Sequence, residues 1–290
     1  VQILLLLIGG MNFYESLIHT FGTVGTGGFD IRDESVAFFN SSYIHIIIGV
    51  FMILSGVNFS LYYLLYKKRL KYVFENEELR LYLWIIIFST MVIMLDLYFN
   101  NYSKIGLALR DSFFQVGATM TTTGYSTIDL GILSSFSKGI LFLLMLIGGS
   151  AGSTAGGIKV IRFLIMFKLI KREVTKTFHP RAMIPIKYNG KVIPDEIISS
   201  IYSFTFLFFI LFAFGTLAIS LEGVDLVSAG SSVIGTLTNL GNLKFLNPAK
   251  TFTDYSQGAK LLLSFFMILG RLELFTIVAL ISPKSWRREI

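Results

Sequence analysis

Residues 43–66, 81–99, 197–221 and 258–281 are four apolar runs. Each is close to the roughly 20 helical residues that a bilayer core about 30 Å thick requires. Nothing else in the chain narrows its possible folds so far. In hydrocarbon a backbone N–H or C=O has no water to turn to, so such runs must close their hydrogen bonds internally, as helices do. Composition supports the same class: 53% of the 290 residues are hydrophobic and only 15% are charged, against roughly a quarter charged in an average soluble domain. That content excludes a disordered chain, and the absence of cysteine excludes a disulfide-stapled domain and a thiolate metal site. A net charge of +7 raises nucleic acid as a partner, but the basic residues fall in clusters between apolar runs, so no nucleic acid is expected. The expected fold class is an all-α polytopic membrane protein.

A fifth apolar region, residues 139–170, is long enough for more than one pass but is interrupted by Gly148-Gly149-Ser150-Ala151-Gly152-Ser153-Thr154-Ala155-Gly156-Gly157. Glycine costs about 1 kcal/mol per residue in a helix, so this decapeptide is expected to be non-helical. Residues 1–10 are apolar, too short to span, and carry no initiator Met, basic n-region or cleavage site. They read as the end of a longer helix rather than a signal peptide. Lys and Arg gather in residues 67–80, in residues 159–191, and at Lys284, Arg287 and Arg288. The positive-inside rule places these segments in the cytoplasm, beside anionic lipid headgroups, and puts the opposite loops, with Asp30, Asp129 and Asp225, outside. Asp195 and Glu196 after Pro194 read as a helix start, with acids near the positive end of the helix dipole.

The chain also repeats itself. Residues 16–30 align without a gap to residues 112–126, matching Ser16 to Ser112, Thr23 to Thr119, Thr26 to Thr122 and Gly28 to Gly124, with Phe29 opposite Tyr125. A third, weaker copy at residues 230–242 puts Thr236 and Gly241 in the same columns. Each copy begins with a segment long enough for a few helical turns and ends in Thr, Gly or Asn, on the outward side between two spans. Thr- and Gly-rich external turns are common, and one copy alone would carry little. Three copies in register point to re-entrant pore loops, because non-helical backbone at membrane depth survives only where protein buries it or a watery cavity receives it. A short helix entering from outside aims its negative end at the bilayer middle, which favours a cation there. Glycine then frees the backbone so that successive carbonyls can face one axis, and rings of such carbonyls replace the hydration shell of K⁺ in selectivity filters.

Four motifs taken together extend this reading: Val24-Gly25-Thr26-Gly27-Gly28-Phe29, Thr121-Thr122-Thr123-Gly124-Tyr125-Ser126-Thr127, residues 147–162 around the Gly-rich decapeptide, and Gly270-Arg271-Leu272-Glu273-Leu274-Phe275-Thr276. With them the chain resembles, over essentially its whole length, the membrane subunit of Trk-type bacterial potassium transporters of the Trk/Ktr/HKT superfamily. The last two motifs favour Trk over Ktr. The resemblance implies four pore-loop repeats, of which this chain would hold the second (1–78), third (79–178) and fourth (179–290). It implies filter glycines at Gly28, Gly124 and Gly241, with the carbonyls of Thr26, Gly27, Thr122, Thr123, Asn239 and Leu240 nearest the ion. It also implies that residues 148–157 form an intramembrane loop under the filter, acting as a gate, and that Arg271 of the last helix faces that loop. Further implications are a multi-pass location in the bacterial cytoplasmic membrane, a homodimer with one pore per protomer, a cytosolic nucleotide-binding regulatory subunit, and K⁺ as the transported ion with no organic cofactor. The alternative mechanism is an alternating-access carrier coupled to Na⁺ or H⁺, whose repeats would be expected to be inverted.

Arg271 has an argument of its own. Within the run 258–281 an arginine near the bilayer centre costs at least about 2.5 to 3.5 kcal/mol, so it must meet water or a polar partner. Glu273 is two residues away and does not share its helical face. His19, His45 and His179 lack metal-ligand spacing, and His45 inside an apolar run reads as a satisfied interior histidine. Residues 152–157 hint at a phosphate loop, but Ile158 stands where its lysine belongs. Ser150 and Ser153 have no histidine placed to activate them, so no covalent chemistry is expected.

Overall fold

A leading helix, a half-length helix, a polar turn, a 3₁₀ turn and a further helical segment follow one another repeatedly in the computed structural model, which describes residues 1–32, 34–241, 252–272 and 274–281. The basic cluster at Lys284, Arg287 and Arg288 and the acid at Glu273 lie outside the described residues. The chain divides into two compact units, Val1–Ile193 and Pro194–Ile290.

In the first unit, α1 (Gln2–Ile8) leads into the half-length α2 (Phe13–Val24), a turn, a 3₁₀ turn (Ser35–Phe38), then α3 (Ser42–Ser55), α4 (Phe59–Tyr66) and α5 (Leu70–Phe74). The order recurs as α6 (Glu77–Asn100), the half-length α7 (Ile105–Met120), a turn, a 3₁₀ turn (Leu130–Ile132), α8 (Ser135–Ile147) and α9 (Val160–Phe178). A two-residue hairpin, β1 (Lys187–Tyr188) with β2 (Lys191–Val192), closes the unit. In the second unit the same order gives α10 (Asp195–Ser220), the half-length α11 (Leu226–Leu237), a turn, a 3₁₀ turn (Phe252–Asp254), α12 (Gln257–Arg271) and α13 (Leu274–Ile281).

Local chemistry sets these boundaries. Asn76 accepts the Leu79 N–H at the start of α6, and Glu77 and Glu78 sit in its first turn. Asn12 forms a capping box with Glu15 on α2, and Asp225 accepts from Ser228 on α11. The helix after each 3₁₀ turn opens on a serine, Ser41, Ser134 or Ser256, whose hydroxyl accepts a backbone N–H of the first turn. Such a cap contributes about 1 kcal/mol. The helix expected after Pro194 is found, with Pro194 itself at the N-cap of α10.

Two of the four expected spans, α6 and α10, are unbroken helices of 24 and 26 residues. The other two are broken. Residues 43–66 bend by 93° between α3 and α4. The cause is distant in sequence: the Gly56 carbonyl accepts from the Ser150 N–H at 2.9 Å, and the Phe59 N–H donates to the Gly152 carbonyl at 3.1 Å. Groups that would continue the helix serve the decapeptide instead. Residues 258–281 divide after Arg271, where the Asn239 amide also takes the Met267 carbonyl in the last turn of α12, at 3.1 Å. The region 139–170 breaks at the glycines, as its composition predicts.

In the first unit Leu6, Ile44, Ile48, Met52, Phe114, Ala118 and Tyr125 form a buried cluster around the half-length helices. In the second, Phe266 packs against Gly215, where a methyl group would come within 2.4 Å of the ring. Trp84, Phe88, Phe206 and Phe214 point outward, as lipid-facing positions of a membrane protein do.

Candidate functional site

Each half-length helix ends in the same backbone knot. After α2, the Thr26 N–H reaches back to the Thr23 carbonyl (3.2 Å), while the N–H groups of Gly27 and Gly28 converge on the Gly22 carbonyl (2.9 and 3.3 Å). After α7, Thr122 reaches Thr119 (3.1 Å), and Thr123 and Gly124 converge on Ala118 (2.9 and 3.1 Å). After α11, Asn239 reaches Thr236 (3.1 Å), and Leu240 and Gly241 converge on Gly235 (3.0 and 3.3 Å). The dihedrals repeat as well. φ is positive at Thr26 (48°) and Gly28 (63°), at Thr122 (54°) and Gly124 (82°), and at Asn239 (58°) and Gly241 (84°).

A left-handed threonine costs roughly 1 to 2 kcal/mol, and strain of this kind gathers at functional positions. Here it turns the N–H groups back into the helix end. Among the described residues no hydrogen bond ends on the carbonyls of Thr26, Gly27, Thr122, Thr123, Asn239 or Leu240. These oxygens are available to something else, at the negative end of a helix dipole.

The first two turns also touch. A methyl group on Gly28 would lie 1.8 Å from the Thr123 carbonyl oxygen, so only glycine fits there. The Tyr125 hydroxyl crosses to donate to the Phe29 carbonyl at 2.9 Å, and it passes the bare Cα of Gly22 on the way. Behind the turns, one column of the half-length helices supplies a polar brace each time. His19 Nε2 lies 3.3 Å from Asp30, Gln115 donates to Ser126 at 3.1 Å, and Ser232 pairs with Tyr255 at 2.8 Å. Burial opposes ionisation of Asp30, but the contact with His19 and the N–H groups of Arg32 and Ile31 hold its carboxyl below the usual range. No sequence signal beyond an unassigned histidine pointed to this brace. His45 is buried, with Nε2 3.3 Å from the Val36 carbonyl, as expected for an interior histidine.

The decapeptide, residues 148–157, is tied to both turns of the first unit. Thr26 Oγ1 donates to the Thr154 carbonyl at 2.7 Å, and Thr122 Oγ1 accepts from the Gly156 N–H at 2.7 Å. Thr154 Oγ1 donates to the Val24 carbonyl, at the last residue of α2, at 2.9 Å. Its small residues allow close approach: a methyl group on Gly148 would lie 2.1 Å from the Gly156 carbonyl oxygen, and one on Gly149 would lie 2.5 Å from Cβ of Ala155. Positive φ at Gly148, Gly152 and Gly157 makes the corners.

The structure thus brings together Thr26, Gly27, Gly28, Thr122, Thr123, Gly124 and residues 148–157 in the first unit. Asn239, Leu240 and Gly241 form the equivalent turn in the second, where Arg271 ends α12 with its side chain exposed. One participant was missed. Glu78, 2% exposed, accepts the Ala151 N–H at 2.7 Å. In the sequence it is only one of two acids at a helix start.

The comparisons with known proteins point one way. The Trk system potassium uptake protein TrkH of Escherichia coli (strain K12) is 36% identical over 287 residues, covering 98% of this chain and 59% of that protein. Its counterpart in Halomonas elongata is 34% identical over 281 residues, covering 96% and 58%. This chain therefore spans about three fifths of the length of the relatives it matches. The crystal structure of the potassium transporter TrkH from Vibrio parahaemolyticus superposes with a TM-score of 0.92 at 32% identity, over 98% of this chain and 62% of that one. The family described as "TrkH: Cation transport protein" matches residues 7–288, so the chain belongs to the TrkH family of cation transport proteins and is a multi-pass membrane protein.

Proposed function

We propose that the protein takes up K⁺ across the bacterial cytoplasmic membrane, passing it through a filter lined by the carbonyls of Thr26, Gly27, Thr122, Thr123, Asn239 and Leu240. The observation that carries this reading is the threefold knot, in which paired left-handed residues commit every local N–H to the helix end and leave the carbonyls unbonded among the described residues. A K⁺ ion sheds water only where oxygens replace its hydration shell, and the helix C-terminus behind each turn supplies a favourable field. The names of the relatives, potassium uptake proteins of the Trk system, support K⁺ as the ion.

Residues 148–157 act as the gate beneath the filter, with Arg271 as the further gate residue that the family resemblance implies. The repeats fall at 1–78, 79–178 and 179–290. The assembly is a homodimer with a cytosolic nucleotide-binding regulatory subunit, to which the "Trk system" of the relatives' names lends support. The test is K⁺ against Na⁺ flux through the full-length protein in proteoliposomes, with Gly124→Ser as the probe. The variant is expected to lose discrimination at least about tenfold, as an added side chain at a left-handed glycine distorts the adjoining carbonyls. Unchanged selectivity in stable, folded protein would remove the filter assignment.

A further inference from the structure

The first turn of α6 is fixed from several sides. The Asn189 side chain accepts the Glu77 N–H at 3.0 Å, and the Asn189 N–H returns to the Glu77 carboxylate at 3.1 Å. Lys168 of α9 pairs with the same carboxylate and donates to the Lys187 carbonyl at 2.7 Å. The hairpin, α9 and the start of α6 are therefore one clamped block, and Glu78 is the next residue along. Its carboxylate turns inward, is 2% exposed, and accepts the N–H of Ala151 at 2.7 Å. The Ile161 N–H, at the start of α9, and the Lys159 charge face it too. One buried carboxyl group thus addresses the decapeptide near its entrance and the helix that follows its exit.

From this geometry we infer that Glu78 is the latch of the intramembrane loop, a positioning residue that holds residues 148–157 in the blocking arrangement. A carboxyl group taken out of water requires partners, and here they are the loop and loop-exit backbone together with the Tyr188 hydroxyl of the hairpin. Moving the loop away removes the Ala151 donor from a buried acid, so the acid opposes opening. Because Glu78 is seated on the block that carries the hairpin, displacement of the hairpin from the cytoplasmic side loosens the latch. The inference rests on the proposed role of residues 148–157 as the gate.

The experiment compares K⁺ flux of the full-length protein in proteoliposomes for the parent, Glu78→Ala, Glu78→Gln and a deletion of residues 152–156, alone and combined. Removing a charge-assisted hydrogen bond is expected to raise flux about tenfold for Glu78→Ala. Glu78→Gln, which keeps an oxygen for Ala151, is expected to raise it about threefold. In the loop-deleted background Glu78→Ala should add less than about twofold, because the part it holds is gone. These 290 residues hold no cysteine, so with any cysteine elsewhere in the full-length protein replaced, Ser153→Cys gives a second readout: a membrane-impermeant thiol reagent applied from the cytoplasmic side should label it several times faster with Glu78→Ala. If Glu78→Ala does not reach the membrane, Glu78→Gln decides. If deletion raises flux while both Glu78 variants leave flux and labelling unchanged, the latch is wrong and the gate stands. If deletion itself leaves flux unchanged, the gate fails and the latch falls with it.

Discussion

The turn after α7 and the decapeptide that follows α8 are both breaks made of Gly, Thr and Ser, yet they are held in opposite ways. The turn is built from its own helix: every knot bond joins residues three to six apart, from Ala118 to Gly124. The decapeptide keeps few bonds to itself and hangs instead on Gly56, Phe59, Thr26, Thr122 and Glu78, which lie far from it in sequence. A locally closed turn keeps its shape when neighbours move, whereas a segment held by distant partners has a shape that those partners can release. A proposed filter and a proposed gate call for that division.

The contrast can be broken most severely at Gly28. Gly28→Ala places a methyl group against the Thr123 carbonyl at a left-handed position, and is expected to abolish K⁺ over Na⁺ discrimination in flux assays and to lower stability by about 2 to 4 kcal/mol. Gly139→Ala, in α8 with nothing within 4 Å, is the control and should be neutral or stabilising by about 0.5 to 1 kcal/mol. Equal thermal shifts for the two would show that position 28 carries no special geometry.

A smaller effect separates the two regions directly. Thr122→Val keeps the shape but deletes the acceptor of the Gly156 N–H. It should raise flux about threefold to tenfold, the range for one buried hydrogen bond, while leaving the turn's backbone in place. A fall in ion discrimination with no rise in flux would mean that the hydroxyl serves the turn and not the decapeptide. The mildest test is Tyr125→Phe, which removes the bond to the Phe29 carbonyl between adjacent turns. About 1 kcal/mol of stability should be lost, with a modest loss of discrimination, measured by thermal unfolding and by competition flux. A neutral result would show the turns to be independent.

How far the sequence disclosed this follows from the same division. The repeats at Thr26, Thr122 and Gly241 were legible because each knot is local, and local geometry needs the same residue types at the same spacing. The bend between α3 and α4 was not legible: residues 43–66 read as one span, and the groups that break it sit near Ser150 and Gly152. Glu78 was hidden for the same reason, since a helix-start acid looks alike whether it faces water or a buried N–H. The brace between His19 and Asp30 escaped because a search for metal spacing does not detect a side-chain contact across a turn.

Asn239 occupies the left-handed position that Thr26 and Thr122 hold in the other copies. Asparagine enters that region far more readily than a β-branched residue. In mechanical terms, the first two turns are loaded springs held by their own knot bonds, while the third rests near its own minimum and is pinned by an amide to the Met267 carbonyl. The copies therefore differ in compliance although they share a shape. Amide hydrogen exchange at Gly27 and Thr123 should run ahead of Leu240 as temperature rises, so a sequence divergence that looks like decay sets the order in which the turns yield.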